Sequence, residues 1–310
     1  MSPTRGFPAP AAALAAALAL SSCSSLKGIP GGSAAGDYLQ QTAVQSATKV
    51  GENAATAAVT GEFDKTASFT MEQEFYLGKT IAATVVSRVS TTALPPDHRA
   101  ARYLRDVGTV VALAAAEQRE ATDRPYPLRG YRFILVDSPQ VNAVGMPGGF
   151  ILVTTGALRA VQSEDELAAI LAHEVAHVQR GHVLWPVERA REQEHMTSTL
   201  LAGTDPLVHA FFGKVVTLGA DFVLDRGYGK SNELAADAFA ARILAGAGYD
   251  PAALGRVLGR LQGPAAQGGF FSRHPPAADR VAALAKETKA GAAPPPARAA
   301  RFQARARTLD

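Results

Sequence analysis

Residues 163 to 181 read Ser163-Glu-Asp-Glu-Leu-Ala-Ala-Ile-Leu-Ala-His-Glu-Val-Ala-His-Val-Gln-Arg-Gly181, and the rest of the chain is best read outward from them. Ser163, with Glu166 three residues on, has the form of a capping box, and Glu164 and Asp165 suit the positive end of a helix dipole. Leu167, Ile170, Leu171, Val175 and Val178 recur at helical spacing and predict one broad buried face. The helix is expected from Glu164 to about Arg180, stopped near Gly181.

On that helix, His173 and His177 stand four residues apart. Such residues lie about 40° apart around the axis and about 6 Å along it, so both imidazoles reach one zinc ion. Glu174 is angled to contact water held by that ion and to act as a general base. A third protein ligand is needed. His182 lies about 140° from His177 on a continuing helix and faces elsewhere unless the helix ends first. Val183 stands where a longer-spaced third histidine would fall. Glu233 is the better candidate, and Asp237, one turn later, can orient a ligating imidazole.

Upstream, residues near Met71 begin a helical pattern that Pro95 and Pro96 break, and a second helix spans about 97–117. Strands are predicted at 131–136, 141–144 and 150–154, joined by Gly-Pro turns, which implies a small antiparallel or mixed sheet. Downstream, 207–224 is an apolar run read as a buried or groove-lining helix, with a membrane-dipping segment as the alternative. Ser231 and Asn232 offer an N-cap for a helix over 233–244, and a last helix spans 277–286. The fold class is α+β, mostly helical, with a small sheet and one metal-bearing helix.

The chain has 310 residues, 47% of them hydrophobic, enough for one substantial core. Its net charge of +3 is concentrated at the end, in Arg298, Arg301, Arg305 and Arg307. No basic face is evident in the body, which argues against nucleic acid as a partner. Residues 289–310, after the proline run, read as a disordered basic tail. The single cysteine, Cys23, excludes an internal disulfide. Arg5, the apolar run 11–20 and then Leu20-Ser-Ser-Cys23 resemble a bacterial lipoprotein signal. By that resemblance, 1–22 is a signal peptide and Cys23 carries lipid, with Ser24 favouring the outer membrane. Residues 23–68 read as a flexible tether, and 69–288 as the folded domain.

Together the motifs resemble the HtpX/Oma/BepA-type zinc metallopeptidases, in their periplasmic lipoprotein branch. The resemblance rests on Glu74-Phe-Tyr-Leu-Gly78, the block Asn142 to Gly156, HExxH at 173–177, Glu233-Leu-Ala-Ala-Asp237, and His274, Pro275 and Arg280. It departs from the family at Lys230, Ser231, Asn232 and Ala235. The resemblance implies one zinc on His173, His177 and Glu233, Glu174 as base and Asp237 in support. It also implies an edge strand at Gly149, Phe150, Ile151 and Leu152 that pairs with extended substrate. His274 would occupy the open metal position in a resting state, or else cap a helix or bind substrate, and Arg280 would bind a substrate carbonyl or steady the site, or else form a surface ion pair. The implied activity is endoproteolysis of unfolded or misassembled envelope proteins from a lipid anchor, with possible contact to outer-membrane assembly machinery. The alternatives are a chaperone-like lipoprotein with little proteolysis and a cell-wall peptide amidase.

Overall fold

The computed structural model describes residues 69–88, 92–185, 216–217, 219–221, 228–260, 277–288, 291 and 294–306. Cys23, the tether, most of 207–224 and His274 lie outside the described residues. The described helices are α1 (Met71–Arg88), α2 (Arg99–Glu117), α3 (Thr155–Ala160) and α4 (Glu164–Gln179), followed by α5 (Lys230–Gly246), α6 (Ala253–Arg260), α7 (Ala277–Glu287) and α8 (Pro296–Ala306). The strands are β1 (Thr92–Ala93), β2 (Arg132–Asp137), β3 (Ala143–Met146) and β4 (Phe150–Thr154). No described helix is long and apolar enough to cross a membrane.

The strands form one mixed sheet in the order β1-β2-β4-β3. β4 runs parallel to β2, with Ile134 opposite Leu152, and antiparallel to β3, with Gly145 opposite Ile151. This corrects the expectation that 149–152 is an edge strand. Phe150, Ile151 and Leu152 lie in the interior strand, and Gly149 belongs to the 3-10 turn Pro147–Gly149 before it. The physical reason lies in the run Phe-Ile-Leu-Val-Thr, which is apolar on both faces and buried throughout. Such a strand suits an interior place, and among the described residues β3 lies at one edge of the sheet and β1 at the other. Ile151 and Val153 point into the core beneath α2, α4 and α5, and Phe150 and Leu152 point into a second core under α1.

α4 begins where its sequence directs. Ser163 Oγ accepts from the Glu166 amide at 3.2 Å, and Glu166 Oε2 accepts from the Gln162 amide at 2.7 Å. Its burial goes beyond the single face expected, because all sixteen residues of the helix are buried. Ala168, Ala169, Ala172 and Ala176 line the faces that the apolar stripe does not, and their small side chains admit α2 and α5 closely. Each fully buried leucine, such as Leu167 or Leu171, contributes about 1.5–3 kcal/mol.

The C-terminal stretch is not a disordered tail over residues 296–306. α8 starts at Pro296, where a missing amide costs nothing, and anchors through buried Phe302 and Ala306. Its arginines meet the acidic residues of other helices. Arg298 Nη1 lies 2.7 Å from Asp165 Oδ1, Arg301 Nε donates to Glu164 Oε2 at 2.7 Å, and Arg305 pairs with Asp106. A composition read as solvated charge is instead a helix whose arginines each pair with an acidic residue of α2 or α4. α5 also starts earlier than expected. Gly229, not Ser231 or Asn232, is its N-cap, so Glu233 sits inside an already formed turn.

Candidate metal centre

α4 and α5 pack side by side and bring His173, His177 and Glu233 together, each 0% exposed. His173 Nε2 and His177 Nε2 are 3.0 Å apart. Glu233 Oε2 lies 3.5 Å from His173 Nε2, and Glu233 Oε1 lies 3.7 Å from His177 Nε2. All three donor atoms fall within 4.8 Å of one another. Tetrahedral ligands at 2.0–2.2 Å from a zinc ion stand roughly 3.3 Å apart, so the cluster fits. The electrostatics agree. Burial acts against charge on His173, but the Asp237 and Glu233 carboxylates outweigh it and push the ring up to about 9. The pocket therefore favours positive charge at this point.

The other face of each histidine is also occupied. Asp237 Oδ1 is 3.0 Å from His173 Nδ1. Arg280, 2% exposed, donates from Nε to Asp237 Oδ2 at 2.7 Å and from Nη2 to Asp237 Oδ1 at 2.6 Å. Its Nη1 lies 3.2 Å from Glu233 Oε2. One guanidinium thus ties α7 to both carboxylates of α5, the fork geometry that arginine supplies and lysine does not. Burial works against ionisation of Asp237, but hydrogen bonds from Arg280 and His173 outweigh it and hold its pKa below the usual range. Asp237 and Arg280 thus lie directly beside the candidate ligands His173 and Glu233.

Glu174 points from α4 towards the sheet edge. Its Oε2 accepts the Gly145 amide at 2.6 Å, and its buried Oε1 has no hydrogen-bond partner among the described residues. Burial pushes this carboxyl up to about 7, in the range where a general base works near neutral pH.

Three neighbours were not predicted from the sequence. Gly145 anchors the base, and no side chain marks it. Tyr228 stacks on His177 with ring centroids 4.0 Å apart and planes 20° apart. His182 was set aside because a continuing helix would turn it away, yet its Nδ1 lies 3.0 Å from His177 Nδ1. Burial pulls its pKa down to about 4. The glycine at 181 was the available signal, since it ends the helix before His182.

Comparison with known proteins agrees with this geometry. Over 136 residues, 42% of this chain and 28% of the relative, the sequence is 31% identical to a putative beta-barrel assembly-enhancing protease of Vibrio cholerae. It is 34% identical over 162 residues to the mitochondrial metalloendopeptidase OMA1 of Arabidopsis thaliana, covering 50% of this chain and 31% of that protein. It is 26% identical over 139 residues to the beta-barrel assembly-enhancing protease of Escherichia coli K12, covering 42% and 28%. The chain thus spans less than a third of the length of each of these relatives. The model of peptidase family M48 matches residues 101–288, more than half of the chain and every described member of the cluster, so the chain belongs to peptidase family M48.

Proposed function

We propose that the protein is a zinc-dependent endopeptidase of the bacterial cell envelope, acting on unfolded or misassembled envelope proteins. The observation that carries the reading is the convergence of His173, His177 and Glu233 beside a buried Glu174 that is tied to the edge strand. Two imidazole nitrogens and a carboxylate oxygen are the donor set of catalytic zinc sites. When bound, zinc supplies a Lewis acid that polarises a peptide carbonyl and acidifies water. The remaining chemistry belongs to the chain. The Glu174 carboxylate, raised towards neutrality and with an Oε1 that has no partner among the described residues, accepts a proton from water and returns it to the leaving amine. β3 offers its outer edge to an extended peptide, whose backbone pairs there while the Gly145–Glu174 bond keeps the base at that edge.

The envelope setting is supported by the apolar run 11–20 followed by Cys23, read as a lipid anchor, and by relatives named for beta-barrel assembly. On this reading the protein is lipid-held at the outer membrane, facing the periplasm. The test pairs zinc content with casein cleavage for the wild type and Glu174→Gln. Zinc in both with cleavage in the wild type alone is the expected result. Zinc in neither would overturn the proposal.

A further inference from the structure

The end of α4 is built around a reversal. Gly181 takes φ +74°, a conformation open to glycine but strained for other residues. The Gly181 amide bonds to the Val178 carbonyl at 3.1 Å, and the His182 amide bonds to the His177 carbonyl at 3.0 Å. These are the paired bonds of a Schellman motif, which commonly presses the second residue past the cap against the third residue before it. Here those two residues are His182 and His177. Their rings lie 5.0 Å apart at 66°, and their Nδ1 atoms are 3.0 Å apart.

A neutral imidazole has one N–H and one lone pair. His177 Nε2 faces His173 Nε2 and Glu233, so a metal there requires its lone pair. The proton then resides on Nδ1, which needs an acceptor, and His182 Nδ1 supplies one. We infer that His182 is a positioning residue for His177, fixing its tautomer and ring plane from the side opposite the metal. This rests on the reading of the cluster as a zinc site. Asp237 holds the corresponding place beside His173 Nδ1. The use of an uncharged acceptor at the second histidine follows from charge balance. Glu174, Glu233 and Asp237 already balance Arg280 and a divalent ion, and a fourth carboxylate would leave net negative charge buried. The face of His177 is fixed independently by the Tyr228 ring.

The test measures zinc affinity of the full chain by competition with a chromophoric chelator, with 15N spectra of labelled histidine as a second readout. The wild type and His173→Ala establish the zinc site itself; no high-affinity zinc in the wild type would overturn the metal reading and this proposal together. With that site established, His182→Ala is expected to weaken zinc binding by about 10–100-fold. His182→Asn, whose side-chain oxygen can accept the same proton, is expected to restore most of it. The 15N spectrum of the zinc-loaded wild type should show His177 protonated at Nδ1. Equal zinc affinity and an unchanged spectrum in His182→Ala would overturn the positioning role. So would an Asn variant as weak as the Ala variant at unchanged thermal stability, which would show a purely steric contribution.

Discussion

Gly145 and Glu174 are joined across the boundary between sheet and helix, the Gly145 amide donating to Glu174 Oε2 at 2.6 Å. The β3 amide therefore engages one oxygen of Glu174, while the other has no hydrogen-bond partner among the described residues. The same bond fixes the distance between the strand proposed to hold a peptide and the carboxylate proposed to deprotonate the attacking water.

Glu174→Gln keeps an acceptor oxygen for Gly145 but removes the proton-accepting carboxylate. Peptidase activity is expected to fall by about 10²–10⁴-fold with zinc content unchanged. Paired metal analysis and peptide hydrolysis check this; activity within tenfold of wild type would remove Glu174 from the role of base.

Gly145→Ala tests the close packing of β3 on α4. A Cβ there would lie 2.9 Å from the Glu174 carbonyl oxygen and 3.1 Å from Val178 Cγ2. The strand must move away, costing about 1–3 kcal/mol of stability. Turnover should fall more than zinc affinity, because the base is displaced while the ligands on α4 and α5 stay. Denaturant melts and zinc titration separate the two effects.

Arg280→Met leaves Asp237 and Glu233 buried without their cation. The loss of one partner from such a cluster costs about 3–5 kcal/mol. The deficit should be larger in chelator-treated protein than in zinc-loaded protein, since the ion replaces part of the lost positive charge. Thermal melts in both states give the comparison, and an equal deficit would argue that Arg280 acts mainly through packing.

Arg301→Gln tests the docking of α8. Burial alone would raise Glu164, but hydrogen bonds from Arg301, Tyr103 and Tyr249 outweigh it and lower its pKa from 4.5. A depressed carboxylate adds stability above its unfolded value and loses it as pH falls through the folded value. The wild type should therefore lose stability below about pH 4.5 more steeply than Arg301→Gln. At neutral pH the variant should be less stable by about 1 kcal/mol, a modest figure because the arginine is partly exposed. Urea midpoints from pH 3 to 7 measure both, and parallel curves would detach Arg301 from the titration.

Much of the site was legible because it depends on local periodicity. The capping box at Ser163, the spacing of His173 and His177 and the place of Glu174 follow from one helix. The start of a second helix nominated Glu233, with Asp237 one turn later. The strand at 150–154 was found at its observed boundaries, but its place in the sheet was not. An apolar run shows that both faces are covered, and only pairing with β2 and β3 shows that both edges are too. The basic end was misread because composition does not reveal an acidic surface waiting opposite it.

The sequence by itself determined the helix that carries His173, Glu174 and His177, the chemistry of its side chains and where that helix stops, since all three are set by neighbours within a few residues. Tertiary structure alone decided which strand forms the edge, which amide holds Glu174 and what faces the back of each histidine. Those contacts join residues such as Gly145 and Glu174, or Asp237 and Arg280, that are far apart in the chain. Their geometry arises when packing of the whole core fixes the distance between elements, and no short window of sequence encodes that distance.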